Sequence, residues 1–373
     1  MRNFLRTEAA AGTMLLFTLP LTLLWANSSG TYETWWRSAF GPLDARHWVN
    51  DVLMTLFFFV VAAEVRREVT DGVFRHRRTA VTPIAAALGG MLVPAFIYWA
   101  MNAGSDVEKG WGIPMATDIA VALPFFLLAG NRTPRALKAF LLTLAVVDDI
   151  GAVVVIALFY ADSLNVVAVA SAAMLFVGVF LSKRVVPLSF VLFAGAWLVT
   201  YHSGIHPTIA GVFFAFLLDK KALQRVAPLL LSSTSYLVLP LFVLANAGIV
   251  ISSTAVREAL ESPLALGVIV ALLVGKPLGI CLSTYLATLL GGRLPHGATP
   301  SGIVALSIFG GMGFTVSLFV TDLAFADGTR TQLAKTGILV ASLCAGLFGI
   351  CALRLHARFR TFGTSERSAD NPH

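Results

Sequence analysis

Ala145-Val146-Val147-Asp148-Asp149-Ile150-Gly151 places two adjacent carboxylates in the middle of an apolar run. From Ala139 to Tyr160 these aspartates are the only charges, and a helix of that length is about 30 Å long, the thickness of a bilayer's hydrocarbon core. An ionised carboxylate at that depth is costly unless it meets water, a cation or a partner. Two side by side cost more, because like charges oppose each other's ionisation. A chain that keeps both must supply them with a bound cation, with protons or with a buried basic group.

Composition carries the same message outward. Of 373 residues, 57% are hydrophobic and 13% charged, where a soluble domain carries about 25% charged. The expected fold is an all-α polytopic membrane protein. Apolar runs between short polar turns predict twelve helices near 10–27, 48–66, 79–102, 112–129, 139–160, 166–182, 187–201, 206–218, 228–250, 263–287, 302–324 and 333–355. The N-terminal run is read as a retained first span and not a cleaved signal. The net charge of +7 does not point to nucleic acid, because the basic residues are dispersed over short loops. They report orientation: with both termini inside, twenty Lys and Arg fall in inside segments and six outside, which predicts cytoplasmic ends. Residues 1–358 form one transmembrane domain in this reading and 359–373 a cytoplasmic polar tail, with disorder expected from Thr361 to His373. Cys281, Cys344 and Cys351 lack metal-ligand spacing and read as packing residues.

Two spans are interrupted at corresponding places. The fourth begins Gly112-Ile113-Pro114-Met115-Ala116-Thr117-Asp118, and the eleventh contains Phe309-Gly310-Gly311-Met312-Gly313-Phe314-Thr315. Each is the middle member of a three-span unit, about 79–160 and 263–355. Units of three spans separated by four have opposite topology, so the expectation is inverted repeats with two discontinuous helices. Unwound backbone at membrane depth survives only where it lines a cavity or meets an ion.

The candidate site residues follow from depth and chemistry. Asp148 and Asp149 offer hard oxygen ligands to a small cation, and the same oxygens take protons, so the two ligands compete. Asp118 with Thr117 adds a carboxylate and a hydroxyl at the fourth span's interruption, and also fits a helix N-cap. Lys276, in Gly275-Lys276-Pro277, is the one basic residue deep in a span; it reads as a partner for Asp148 or Asp118, against a lysine snorkelling to the interface. Glu64 and Glu68, beside Arg66 and Arg67, fit either a solvated ion cluster or a cation entrance. His202 and His206 flank an outside turn and are candidates for pH sensing. Asp322 reads as water-exposed, and Asn246 as an interhelical hydrogen-bonding group.

Ala116-Thr117-Asp118-Ile119-Ala120, Val147-Asp148-Asp149-Ile150-Gly151, Gly275-Lys276-Pro277-Leu278-Gly279 and Gly313-Phe314-Thr315 closely resemble the signature segments of the NhaA-type sodium/proton antiporters. So do Ala63-Glu64-Val65-Arg66-Arg67-Glu68, Ser203-Gly204-Ile205-His206 and Leu239-Pro240-Leu241-Phe242, in register from about Phe4 to Arg358. The resemblance implies electrogenic exchange of cytoplasmic Na+ or Li+ for incoming H+, with those ions as substrates and no cofactor. It implies that Asp149 and Asp148 hold the transported ion, that Lys276 pairs with Asp148, and that Thr117 and Asp118 serve the crossing of two broken helices. It links His206 to pH response and Glu64 and Glu68 to the cytoplasmic funnel. Three departures stand out. The outside stretch Ser28–His47 is short for the β-hairpin through which family members dimerise, which leaves a homodimer open; the turn 219–225 lacks acidic and histidine sensors; and Pro124 stands where glycine is usual. The rival readings are a cation channel and an intramembrane aspartyl protease. The protease needs a Gly-x-Gly-Asp segment that this chain lacks.

Overall fold

A computed structural model describes residues 2–71, 77–130, 135–161, 163–295 and 297–369. The predicted inside charges Arg75 and Arg132 lie outside the described residues. The chain runs through α1 (Arg2–Ser28), α2 (Thr31–Trp36), the strands β1 (Ala39–Phe40) and β2 (Leu43–Asp44), and one turn, α3 (Ala45–His47), which enters α4 (Met54–Asp71) through a π turn, Trp48–Leu53. α5 (Arg77–Asn102) leads by a 3-10 helix, Glu108–Met115, to α6 (Ile119–Leu128), followed by α7 (Arg135–Phe159), α8 (Val166–Leu181), α9 (Val186–Tyr201) and α10 (Thr208–Leu217). α11 (Lys220–Ser233) continues through the π turn Thr234–Val238 into α12 (Leu239–Asn246), and α13 (Ser253–Glu261) follows. α14 (Pro263–Val270) joins α15 (Lys276–Leu289) through the π turn Ala271–Gly275. α16 (Pro300–Gly310), α17 (Phe314–Ala324) and α18 (Gly328–Ala369) complete the chain.

Among the described residues, seven helical stretches are long and apolar enough to cross a bilayer, with two bent pairs and three shorter apolar helices beside them. Their outward faces stay apolar: Phe17, Leu92, Met174 and Leu290 are all exposed. Such a surface is unfavourable in water and suits lipid tails, which makes this a polytopic membrane protein. Among the described residues two large apolar clusters dominate the interior. The larger joins α1, α5 to α7, α12 and α14 to α18; the smaller gathers α4 with α8 to α11.

Lipid tails are as apolar as leucine, so close backbone approach has to hold such helices together. One such case is α5 against α15, where a Cβ added at Gly279 would run into the Gly89 carbonyl and one at Gly89 would meet the Gly279 carbonyl. Gly279→Leu is therefore expected to lower stability by about 1–3 kcal/mol, the usual cost of overpacking. Leu278→Ala, on the 53% exposed neighbour, should cost less than about 0.5 kcal/mol. Thermal unfolding in detergent separates the two.

Several expectations are corrected. The stretch read as too short for a hairpin does form one, with Ala39 paired to Asp44 and Phe40 to Leu43. It closes on a two-residue Gly-Pro loop because Gly41 takes φ +73°, the positive value that primed turns require. The span expected from 228 begins at Lys220, because Asp219 caps the helix by accepting from Lys221 N at 3.0 Å. The tail expected to be disordered from Thr361 is helical to Ala369; apart from Gly363 nothing before Pro372 breaks a helix. Pro124, the departure from the usual glycine, lies inside α6, which runs on to Leu128, and its ring packs where Gly12 of α1 has no side chain.

Candidate ion-binding site

Two pairs of helices, each bent at a short break, meet. The 3-10 helix Glu108–Met115 and α6 are bent by 47°, and α16 and α17 by 45°. The first break follows from Pro114 and from Ala116, which is extended at φ −88°, ψ 153°. The second follows from the glycines at 310, 311 and 313, which propagate a helix poorly. Asp118 N donates to Met312 O at 2.7 Å, so backbone freed by one break is satisfied at the other.

Charge compensates the helix ends. Asp118 Oδ1 accepts from Ala120 N at 2.9 Å and Val121 N at 3.3 Å, which caps α6. Its Oδ2 accepts from Thr315 N at 2.8 Å and Thr315 Oγ1 at 2.6 Å, so the same carboxylate sits at the start of α17. One negative group thus faces two positive helix ends. On the other side Lys276 Nζ donates to Met115 O, the end of the 3-10 helix. Thr117 Oγ1 lies 3.0 Å from Gly310 O, the end of α16. The Lys276 ammonium therefore stands where the Met115 carbonyl points, and a neutral hydroxyl satisfies Gly310 O.

Asp148 joins that cationic side. Its Oδ2 accepts from Lys276 Nζ at 2.8 Å and from Thr117 Oγ1 at 2.7 Å. Both members of the ion pair are 0% exposed. Buried pairs hold only with good geometry, since desolvating two charges costs about as much as their attraction returns. Asp148 Oδ1 is buried without a hydrogen-bond partner, a cost that a cation or a proton would relieve.

Asp149 is turned about 100° around α7 from its neighbour and is half-buried. It lines a cavity of about 50 Å³ together with Glu64, Thr117 and Asp118. The adjacent acids are thus divided, one held on the lysine and the other on a cavity wall. Glu64 also pairs with Arg67. Arg66 ties α4 to α10 by donating to Ala215 O at 2.9 Å and Leu218 O at 2.6 Å. Glu68 is not among the residues lining this cavity.

His206 belongs to a separate cavity of about 520 Å³, lined also by Glu33, Arg46, Asp51, Asp322 and Lys335. Its Nε2 lies 3.4 Å from Asp51 Oδ1 and its Nδ1 2.8 Å from Thr208 Oγ1. Asp51 and Glu64 stand about 20 Å apart along one span, so the two cavities approach from opposite ends. At the mouth, burial raises the Glu33 pKa, but the hydrogen bond and charge of Arg46 at 3.0 Å outweigh it and leave the carboxyl below its usual range. Asp322, expected to be water-exposed, is instead paired at 2.7 Å with Lys335, which is 5% exposed, because α18 packs along α17. Asp51 and Lys335 were missed because each sits at the end of an apolar run, where charge ordinarily marks an interface. Asn246 makes the expected interhelical bond, donating from Nδ2 to Asn50 Oδ1 at 2.7 Å.

The family model for Na+/H+ antiporter 1 matches residues 2–353. A protein of Dechloromonas aromatica named Na(+)/H(+) antiporter NhaA is 41% identical over 365 residues, which cover 93% of each chain. The protein of that name from Granulibacter bethesdensis is 43% identical over 359 residues, 93% of this chain and 94% of its own. The one from Aliivibrio fischeri is 38% identical over 371 residues, 95% of this chain and 97% of its own. A match spanning nearly the whole chain, on the elements that build the crossing and its ion pair, means that this protein belongs to the Na+/H+ antiporter 1 family.

Proposed function

We propose that this chain is an electrogenic Na+(Li+)/H+ antiporter that exports Na+ from the cytoplasm as protons enter. The observation that carries the reading is the division of the two acids: Asp149 borders a cavity while Asp148 is held by Lys276 in the dry interior. A cation arriving through that cavity meets Asp149 first. Asp149 then holds either the cation or a proton, because the charge that attracts one is neutralised by the other. For Asp148 to join, the cation must substitute for the ammonium group as its counter-charge, so Lys276 makes occupancy of the second acid conditional. The crossing lets this happen at depth, since Asp118 and Lys276 hold the broken ends together without taking up the second face of Asp148. A single site bordering one side at a time couples the two gradients; a site open to both would dissipate them.

In this reading the seven long stretches, the two bent pairs and the three shorter apolar helices make twelve spans. The units 79–160 and 263–355 are inverted repeats. Twenty basic residues in inside segments against six outside support cytoplasmic termini in a bacterial inner membrane, with the Glu64 cavity on the cytoplasmic side. Residues 1–358 are then the transporter domain and the remainder a cytoplasmic extension. Glu64 and Glu68 supply a cation-attracting entrance, while His206 lies beside Asp51 on the outward side.

Everted membrane vesicles containing the protein and a pH-sensitive dye test this. Added Na+ or Li+ is expected to dissipate a preformed proton gradient, with acceleration by the membrane potential and no effect of K+. Conductance of Na+ without obligatory proton movement would identify a channel instead.

A further inference from the structure

The cavity beside Asp149 has a second polar wall that the aspartates do not supply. Six of its lining residues carry side-chain oxygen, Glu64, Thr117, Asp118, Asp149, Thr234 and Ser235, and the others are apolar. Asp118 is committed to four helix-end donors, and Thr117 spends its one proton between Asp148 and Gly310. Thr234 and Ser235 stand on the π turn between α11 and α12, on an element that supplies none of the groups described at the crossing. They are 2% and 1% exposed, whereas Tyr236 and Leu237 after them face outward. A π turn inserts an extra residue into the helical path and shifts its register locally; here two successive hydroxyls line one wall.

The chemistry of Thr234 is one-sided. Its Oγ1 donates to Leu230 O at 2.9 Å or to Leu231 O at 3.0 Å, so the hydroxyl has only lone pairs left to offer. That suits a cation ligand and not a donor to a carboxylate. A cation that sheds water needs oxygens to replace it. Hydroxyl oxygens on the wall of the same cavity are neutral ligands of that kind. The cavity is small, about 50 Å³, room for about four water-sized bodies, and Asp149, Thr234 and Ser235 all line it.

We infer that the hydroxyl oxygens of Thr234 and Ser235 complete the oxygen shell of a small alkali cation held at Asp149, and that they set the protein's affinity for that cation and its preference between Li+ and Na+. The inference rests on the antiport reading above for its substrate, and it assigns these residues a specificity role. They take no part in carrying the proton.

The test compares Thr234→Val, Ser235→Ala and the double variant with Thr234→Ser, which keeps the hydroxyl. Two readouts are taken at one pH: the KM for Na+ and for Li+ in everted vesicles, and the Kd for each ion measured by calorimetry on the purified full-length protein. Loss of one neutral ligand should raise Kd and KM about five-fold. The Li+ to Na+ ratio should move by about two-fold or more, kcat at saturating cation should hold, and Thr234→Ser should behave as wild type. A double variant with wild-type Kd values and an unchanged ion ratio overturns the inference, as does a fall in kcat alone at wild-type KM, which would mark a structural role. Wild-type protein that binds cation in this hydroxyl-dependent manner but drives no exchange would sink the antiport reading and leave the inference standing.

Discussion

Asp149→Asn is expected to abolish Na+-driven dissipation of a proton gradient while leaving the protein folded. Asparagine fills the same volume on a half-buried wall of the small cavity, so packing and melting temperature should change little. The substitution removes a charge and a proton site together. Losing a charge-assisted contact weakens cation binding by roughly 1.5–3 kcal/mol, about 10- to 100-fold in apparent affinity. The second loss is larger in effect, because an amide takes up no proton near neutral pH and the exchange has no return ion. Raising Na+ should therefore fail to restore transport. Asp149→Glu keeps both functions and should retain measurable exchange with an altered KM. Vesicle assays over a range of Na+ concentration and pH check this, and wild-type rates in Asp149→Asn would remove Asp149 from the transport cycle.

Lys276→Met is expected to lower stability by about 3–5 kcal/mol, the cost of leaving one member of a buried ion pair without its partner. Methionine approximates the aliphatic stem, so most of the loss is electrostatic: Asp148 is 0% exposed and would keep Thr117 Oγ1 as its one remaining donor. The Met115 carbonyl at the end of the broken helix would lose its ammonium as well. Adding Asp148→Asn removes the stranded charge, so the double variant should recover most of the stability lost in the single one. The cycle is read by thermal unfolding of all four proteins in one detergent. Additive losses would show that the lysine serves the helix ends alone and does not compensate Asp148.

The crossing was legible because its parts break local rules in view: Pro114, the glycines from 310 to 313, and charges at 118, 148, 149 and 276 inside apolar runs. Each is too costly at depth to be incidental. The outer cluster was not legible by the same logic. Asp51, Asp322 and Lys335 lie near span ends, where a charge is cheap and says nothing about its partner. Thr234 and Ser235 gave no signal either, since hydroxyls bonded to their own helix are inexpensive in a membrane span and helical pattern alone does not forecast a π turn.

The sequence by itself determined that this is a polytopic helical membrane protein and that acids and a lysine lie inside its apolar runs, because desolvation sets a price on each residue independently of its neighbours. Only the tertiary structure decided the pairings. Asp118 serves as a double helix cap, Asp148 takes Lys276, Asp149 takes the cavity, and a hydroxyl wall comes from a distant helix. Those choices depend on where helices cross, and crossing geometry is set by close packing of small residues such as Gly89 and Gly279, whose contacts are with other helices and not with their sequence neighbours.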